Sequence, residues 1–108
     1  MKHYFRIIEK ENQYQFVLVP GNNLTMPMGY SALYDSESDC RQACLDFKEM
    51  VKTQPVSTCS RLNIQGSDAR YEFYDKDDKV LFSNTYKTKI NANNSMRLII
   101  QYINSQIM

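Results

Sequence analysis

Gln13-Tyr14-Gln15-Phe16 and Arg70-Tyr71-Glu72-Phe73 decide the fold, because the second stretch repeats the first 57 residues later. The correspondence spreads outward from there. Phe5 and Ile7 return as Leu62 and Ile64 at the same interval, and Tyr30 and Arg41 return as Tyr86 and Arg97, 56 residues on. One pattern of apolar positions written twice implies one packing problem solved twice. With 108 residues in all, each half lies near the lower limit for a self-sufficient core, so the halves are expected to share one. The expectation is a single domain over residues 1–108, with repeat one at about 3–54 and repeat two at about 60–106.

Within each half the periodicity of apolar residues changes once. Tyr4 to Ile8 and Gln13 to Val19 alternate apolar and polar side chains around the polar tetrad Glu9-Lys10-Glu11-Asn12, the pattern of a hairpin. Pro20-Gly21-Asn22-Asn23 supplies a second turn. Leu24 to Tyr30 then reads as a weaker strand, short, bulged or at an edge, because Pro27 cannot donate to a ladder. Ser36 with Asp39 resembles a helix-capping pair, and Cys40, Ala43, Cys44, Phe47 and Val51 fall on one helical face before Pro55 stops the run. Arg61 to Gln65, Arg70 to Asp75 and Lys79 to Asn84 repeat the strands, with turns at Gly66-Ser67-Asp68 and Lys76-Asp77-Asp78. Asn91 is the expected cap of a second helix, whose stripe Met96, Ile99, Ile100, Ile103 and Ile107 matches the first stripe position for position.

A strand pair carrying Tyr-x-Phe, a polar turn, a Tyr closing the third strand and an amphipathic helix resembles the YegP-like family, also designated domain of unknown function 1508 and uncharacterised protein family 0339. In the first half the resemblance rests on Gln13-Tyr14-Gln15-Phe16, Gly21-Asn22-Asn23 and Gly29-Tyr30-Ser31. In the second it rests on Arg70-Tyr71-Glu72-Phe73, Leu81-Phe82-Ser83 and Tyr86-Lys87-Thr88-Lys89. Asn22-Asn23 and Asp77-Asp78 stand where that family has Asn-Gly, and no Gly precedes Tyr86, which marks a divergent member. The resemblance implies an α+β fold of antiparallel strands with both helices on one side, and it carries no activity, substrate or catalytic residue. The expected architecture is thus two fused ββ(β)α repeats related by a pseudo-twofold axis.

Composition narrows function mainly by exclusion. The net charge of +1 is far from that of a dedicated nucleic-acid binder. The N-terminus enters a strand pattern directly, without a leader or membrane helix, and three cysteines fit a reducing compartment, so a soluble cytoplasmic protein is expected. Cys40 and Cys44 have the spacing of a metal-ligand pair, but both lie on the apolar stripe, where free cysteine acts as a small hydrophobe. His3 is the one histidine, so a Cys or Ser nucleophile lacks its usual base. Asp75, Asp77 and Asp78 beside Lys76 and Lys79 are the chemistry of a hairpin turn, and no glycine-rich loop opens a helix. Neither enzymatic activity nor a cofactor or metal is expected.

Two kinds of partner fit what is left. Eight Tyr, six Met and short strands suit a protein partner or self-association through a sheet edge. Alternatively, the cations and rings of the second half, Tyr74, Lys76, Lys79, Phe82, Tyr86, Lys87, Lys89 and Arg97, could form a face for single-stranded nucleic acid. Arg41 and Arg97 are placed at the rim of their helices, where an Arg stem covers apolar surface.

Overall fold

A computed structural model describes residues 3–21 and 26–108. The elements run β1 (Tyr4–Lys10), β2 (Gln13–Val19), β3 (Tyr30–Ser31), α1 (Glu37–Thr53), a single 3-10 turn (Val56–Thr58), β4 (Ser60–Gln65), β5 (Asp68–Tyr74), β6 (Val80–Tyr86) and α2 (Lys89–Gln101). All six strands belong to one antiparallel sheet in the order β1-β2-β3-β6-β5-β4, which has the same pattern read from either edge.

The hairpins form where alternation predicts them, with tighter turns. Pairing of β1 with β2 continues to Lys10↔Gln13, leaving Glu11 and Asn12 as a two-residue turn at φ 52° and 67°. Two left-handed residues match the right-handed twist of the strands, so Glu9 and Lys10 belong to the strand and not to a four-residue turn. Gly66 and Ser67 form the other two-residue turn, between Gln65 and Asp68, with Gly66 at φ 62°. Measured by place in the two hairpins, the halves are therefore offset by 55 residues, Glu11-Asn12 answering Gly66-Ser67.

The third strand is short, one of the forms expected of it, but it is confined to the end of the Leu24 to Tyr30 stretch and does not lie at an edge. Only Tyr30 and Ser31 are strand, and they lie at the centre of the sheet, bonded to Val17 of β2 on one side and to Ser83 and Phe82 of β6 on the other. Pro27 lies outside that short central segment, which is how proline is accommodated. Asn22, Asn23 and Leu24, assigned above to a turn and a strand start, lie outside the described residues. Gly29 is buried where any side chain would overlap Tyr71 Oη and Phe82 Cε2, so the absence of a Cβ admits the central strand to the core.

Both helices bury their stripes against one face of the sheet. Phe5, Phe16, Leu18, Tyr71, Phe73 and Phe82 meet Cys40, Cys44, Phe47 and Val51 of α1, and Ile99 and Ile103 of the α2 side, in one cluster. Phe47 reaches the middle of the sheet, with ring centroids 5.7, 5.0 and 5.4 Å from Phe16, Phe82 and Phe73. One side chain thereby joins the strands of both halves.

The second helix is displaced by one turn from its expected position. Thr88, not Asn91, is the cap: its hydroxyl accepts from Asn91 N as Ser36 Oγ accepts from Asp39 N. Counted from their caps, Ser36 and Thr88, the buried Cys40, Phe47 and Val51 and the buried Ala92, Ile99 and Ile103 stand at the same positions, an interval of 52. Four residues are about one helical turn, so stripes 52 and 56 residues apart present nearly the same face and periodicity cannot separate them. Ile107 consequently leaves the helix, which ends at Gln101, and bridges Phe5 in parallel. Tyr30 and Tyr86 likewise part company. Tyr30 pairs with Ser83 on the face away from the helices, while Tyr86 shares the core face with Phe82.

Candidate functional site

The side chains proposed for a nucleic-acid face are divided by the pleat of the sheet. Phe82 is 0% exposed and stacks on Phe16 and Phe47 in the core, so it presents no ring to solvent. Tyr86 turns inward as well, its hydroxyl 2.7 Å from Ser95 Oγ and its ring 6.2 Å from that of Tyr71. Lys87 and Lys89 are exposed at the start of α2, Arg97 is exposed along it, and Lys76 lies in the turn after β5. Tyr74 and Lys76 border a shallow cleft with Asp75 and Asp78, and Lys79 Nζ lies 5.8 Å from the centroid of the Tyr34 ring. Arg41 pairs with Glu37 one turn earlier, at 3.9 Å and in the open.

The acidic turn is explained by its own hydrogen bonds. Asp75 Oδ1 accepts from the amides of Asp77 and Lys79, and the Asp78 amide donates to Asp75 O. Asp78 occupies the left-handed region at φ 63°, a position Asp tolerates. These carboxylates build a loop, as their spacing suggests.

An arginine cluster on the face away from the helices joins residues named above, Arg70, Glu72, Tyr74 and Asp78, in an association their spacing did not suggest. Arg61, opposite Glu72 in the ladder, donates from Nε to Glu72 Oε1 at 2.9 Å and from Nη1 to Asp78 Oδ1 at 2.6 Å. Its guanidinium lies 4.5 Å from the centroid of Tyr74. Arg70 approaches Glu72 Oε2 to 3.1 Å from Nε, without hydrogen-bond alignment, and bonds Ser83 Oγ through Nη2 at 2.9 Å. Glu72, although a carboxylate, is buried because two guanidiniums replace its water. The hairpin turn is the signal that could have exposed this cluster, since a closing pair of Gln65 and Asp68 places Arg61 opposite Glu72 by counting alone.

The buried thiols are unsuited to nucleophilic or metal chemistry. Burial pushes Cys40 up to about 11 and Cys44 up to about 12, and raises Cys59 as well. All three are free. Among the described residues no group of His, Cys, Asp and Glu has the geometry of a metal site. A second polar centre lies inside the fold, where Met28 O accepts from Tyr71 Oη at 2.6 Å, with Asn84 Nδ2, Tyr86 Oη and Ser95 Oγ within 3.5 Å. Its surroundings raise the Tyr71 pKa, burial first and the neighbouring Tyr86 second. This network anchors the segment entering β3.

The two edges of the sheet differ most. On β1, Phe5 N donates to Gln106 O and Phe5 O accepts from Met108 N, both at 2.8 Å, so the chain's own C-terminal segment covers that part of the edge. Further along, β1 carries Glu9 and Lys10. Among the described residues no strand pairs with the outer side of β4. The Gln65–Asp68 turn and the bond from Tyr74 N to Cys59 O set the alternation, with Arg61 and Asn63 bonded toward β5 and the backbone groups of Leu62 and Ile64 directed outward. Arg61, the single charge on β4, is folded over Tyr74 and Glu72, and Ile64 is 56% exposed. Charge, proline and covering segments are the usual protections of an edge, and among the described residues β4 has none along Leu62-Asn63-Ile64.

No family model matches the chain, and no curated protein matches it. Solved structures do. A UPF0339 protein from Shewanella oneidensis, known from solution NMR, is similar with a TM-score of 0.81 and 14% identity, over 99% of this chain and 90% of that one. The protein YegP from E. coli, of unknown function, is similar with a TM-score of 0.80 and 16% identity over the same shares. This chain has their fold. At such identities the likeness extends to the α+β architecture alone, and the neighbours bring no activity with them. Among the described residues no helix is long and apolar enough to cross a membrane.

Proposed function

We propose that the chain is a non-catalytic binding module that takes up an extended protein segment along the outer edge of β4. The observation that carries this reading is the contrast between the two edges: β1 is bonded at Phe5 by the chain's own C-terminal segment and carries Glu9 and Lys10 further along, whereas β4 presents the backbone groups of Leu62 and Ile64 with no charge between them. Strand addition draws affinity from main-chain hydrogen bonds and selectivity from alternate side chains, and β4 offers both with Leu62 and Ile64 on the helix side and Asn63 and Gln65 on the other. The internal duplication and a cytoplasmic location belong to the same proposal, in which fusing two ββ(β)α units leaves one sheet with two edges to dispose of.

The deciding experiment compares affinity capture by the wild-type chain with capture by Ile64→Pro. Proline is tolerated where the amide it removes faces solvent, so the sheet is retained while the outward donor is lost. A partner retained by the wild type and lost by Ile64→Pro is the expected result. Capture that is indifferent to the substitution would place binding elsewhere, and retention of nucleic acid with a steep salt dependence would favour the phosphate-binding alternative.

A further inference from the structure

We infer that the segment taken up by β4 is the β4 of a second copy of this chain, joined antiparallel about a twofold axis through Asn63. This rests on the reading of β4 as the binding edge. The strand Ser60-Arg61-Leu62-Asn63-Ile64-Gln65 is complementary to itself in one register. With Asn63 opposite Asn63, Leu62 of each copy faces Ile64 of the other, and Arg61 faces Gln65. Leu62 and Ile64 are the residues whose backbone groups point outward, so both facing pairs are hydrogen-bonded pairs.

Neighbouring registers fail on chemistry. A shift of one residue sets Leu62 opposite a side chain of the other face, which the pleat forbids. A shift of two in one direction sets Leu62 against Leu62 but leaves Ile64 opposite Ser60, and in the other it sets Ile64 against Ile64 but leaves Leu62 opposite Gly66, in the turn beyond the strand. In the Asn63-centred register Ile64, 56% exposed in the single chain, gains an apolar partner, and no like charges meet across the seam. On the β1 edge Phe5 is already bonded to Gln106 and Met108, and pairing of the remaining length about Ile8 would set Arg6 of each copy opposite Lys10 of the other, two like charges. A single strand pairing is a small interface, so association on the order of micromolar strength is expected.

The test uses sedimentation equilibrium between ~5 and ~500 µM, a range that brackets micromolar association. Wild-type chain is expected to pass from its 12.7 kDa monomer to twice that mass, and Ile64→Pro and Ile64→Lys are expected to stay monomeric with unchanged circular dichroism. Asn63→Cys supplies the positive arm. A non-hydrogen-bonded antiparallel pair brings its Cα atoms to about 4.5 Å, within disulfide range, so mild oxidation should yield a linked dimer. Cys40, Cys44 and Cys59 are buried and do not compete. A wild type that is monomeric throughout, a dimer that survives both Ile64 substitutions, or a dimer whose Asn63→Cys form does not link would each overturn the inference. A monomeric wild type that captures a different protein in an Ile64-dependent way would end this inference and leave the binding reading standing, whereas loss of both would end both.

Discussion

Gly29 and the buried thiols show how much of this molecule depends on single atoms. A methyl group at residue 29 would meet Tyr71 Oη and Phe82 Cε2, both in side chains with no exposure and no free rotamer to retreat into. Gly29→Ala should therefore destabilise the fold by about 1–3 kcal/mol, as overpacking does, read as a lower urea midpoint. The cysteines make a prediction about pH. A thiol whose pKa is raised on folding is bound more firmly as the neutral form in the native state, so its contribution is complete below the ordinary value of 9.0 and fades as pH rises toward the folded values of about 11 and about 12 for Cys40 and Cys44. Tyr71, shifted in the same direction by burial, adds to the effect. The urea midpoint should fall between pH 8 and pH 10.5, and a thiol reagent at pH 8 should label the three cysteines only after denaturation. Labelling of native protein would mean that the thiols are not buried. That Cys40 and Cys44 are core residues was legible in the sequence, because their stripe has helical period; that Glu72 is a buried carboxylate was not, because its partner Arg61 is placed by the ladder.

Hairpins, helices and the central strand were unequally legible. The first helix was foreseen with its cap and its stop, since Ser36, Asp39 and the stripe are all local signals. The strands of both hairpins were foreseen to within a few residues, but the turns came out shorter than their polar runs, because backbone twist selects two-residue connections. Glu11 is held at φ 52° by this choice, a conformation that costs a non-glycine side chain about 1 kcal/mol and costs Asn less. Glu11→Asn should raise stability by about 0.5 kcal/mol, measured by thermal or urea unfolding, and a loss would show that Glu11 makes a compensating contact. The second helix was misplaced by a turn for the reason that periodicity repeats every turn. Only its cap distinguishes the registers, and both Thr88 and Asn91 are acceptable cap residues.

For the whole molecule, the C-terminal segment is the part whose role is least local. Phe5 and Ile107 are brought together across nearly the full chain, and Lys48 Nζ ties α1 to Ser105 O at 2.6 Å. Removing residues 106–108 would uncover the outer backbone groups of Phe5 and withdraw Ile107 from the core. Such a truncation should lower the thermal midpoint by several degrees, corresponding to about 1–2 kcal/mol for a chain of this size. It should also increase association that Ile64→Pro does not suppress, detected by light scattering, because a second edge has been opened. An unchanged midpoint would mean that the segment does not seal β1. By itself the sequence determined the α+β class, the hairpins and the buried stripes, because alternation and helical period are imposed by neighbours a few residues away. Only the tertiary structure decided that the six strands form one sheet, that two residues of β3 lie at its centre, and that the C-terminal segment bonds the β1 edge at Phe5 and not the β4 edge. These outcomes depend on pairs far apart in sequence, Tyr30 with Ser83 and Phe5 with Ile107, whose closure is favourable only once the shared core around Phe47 holds them.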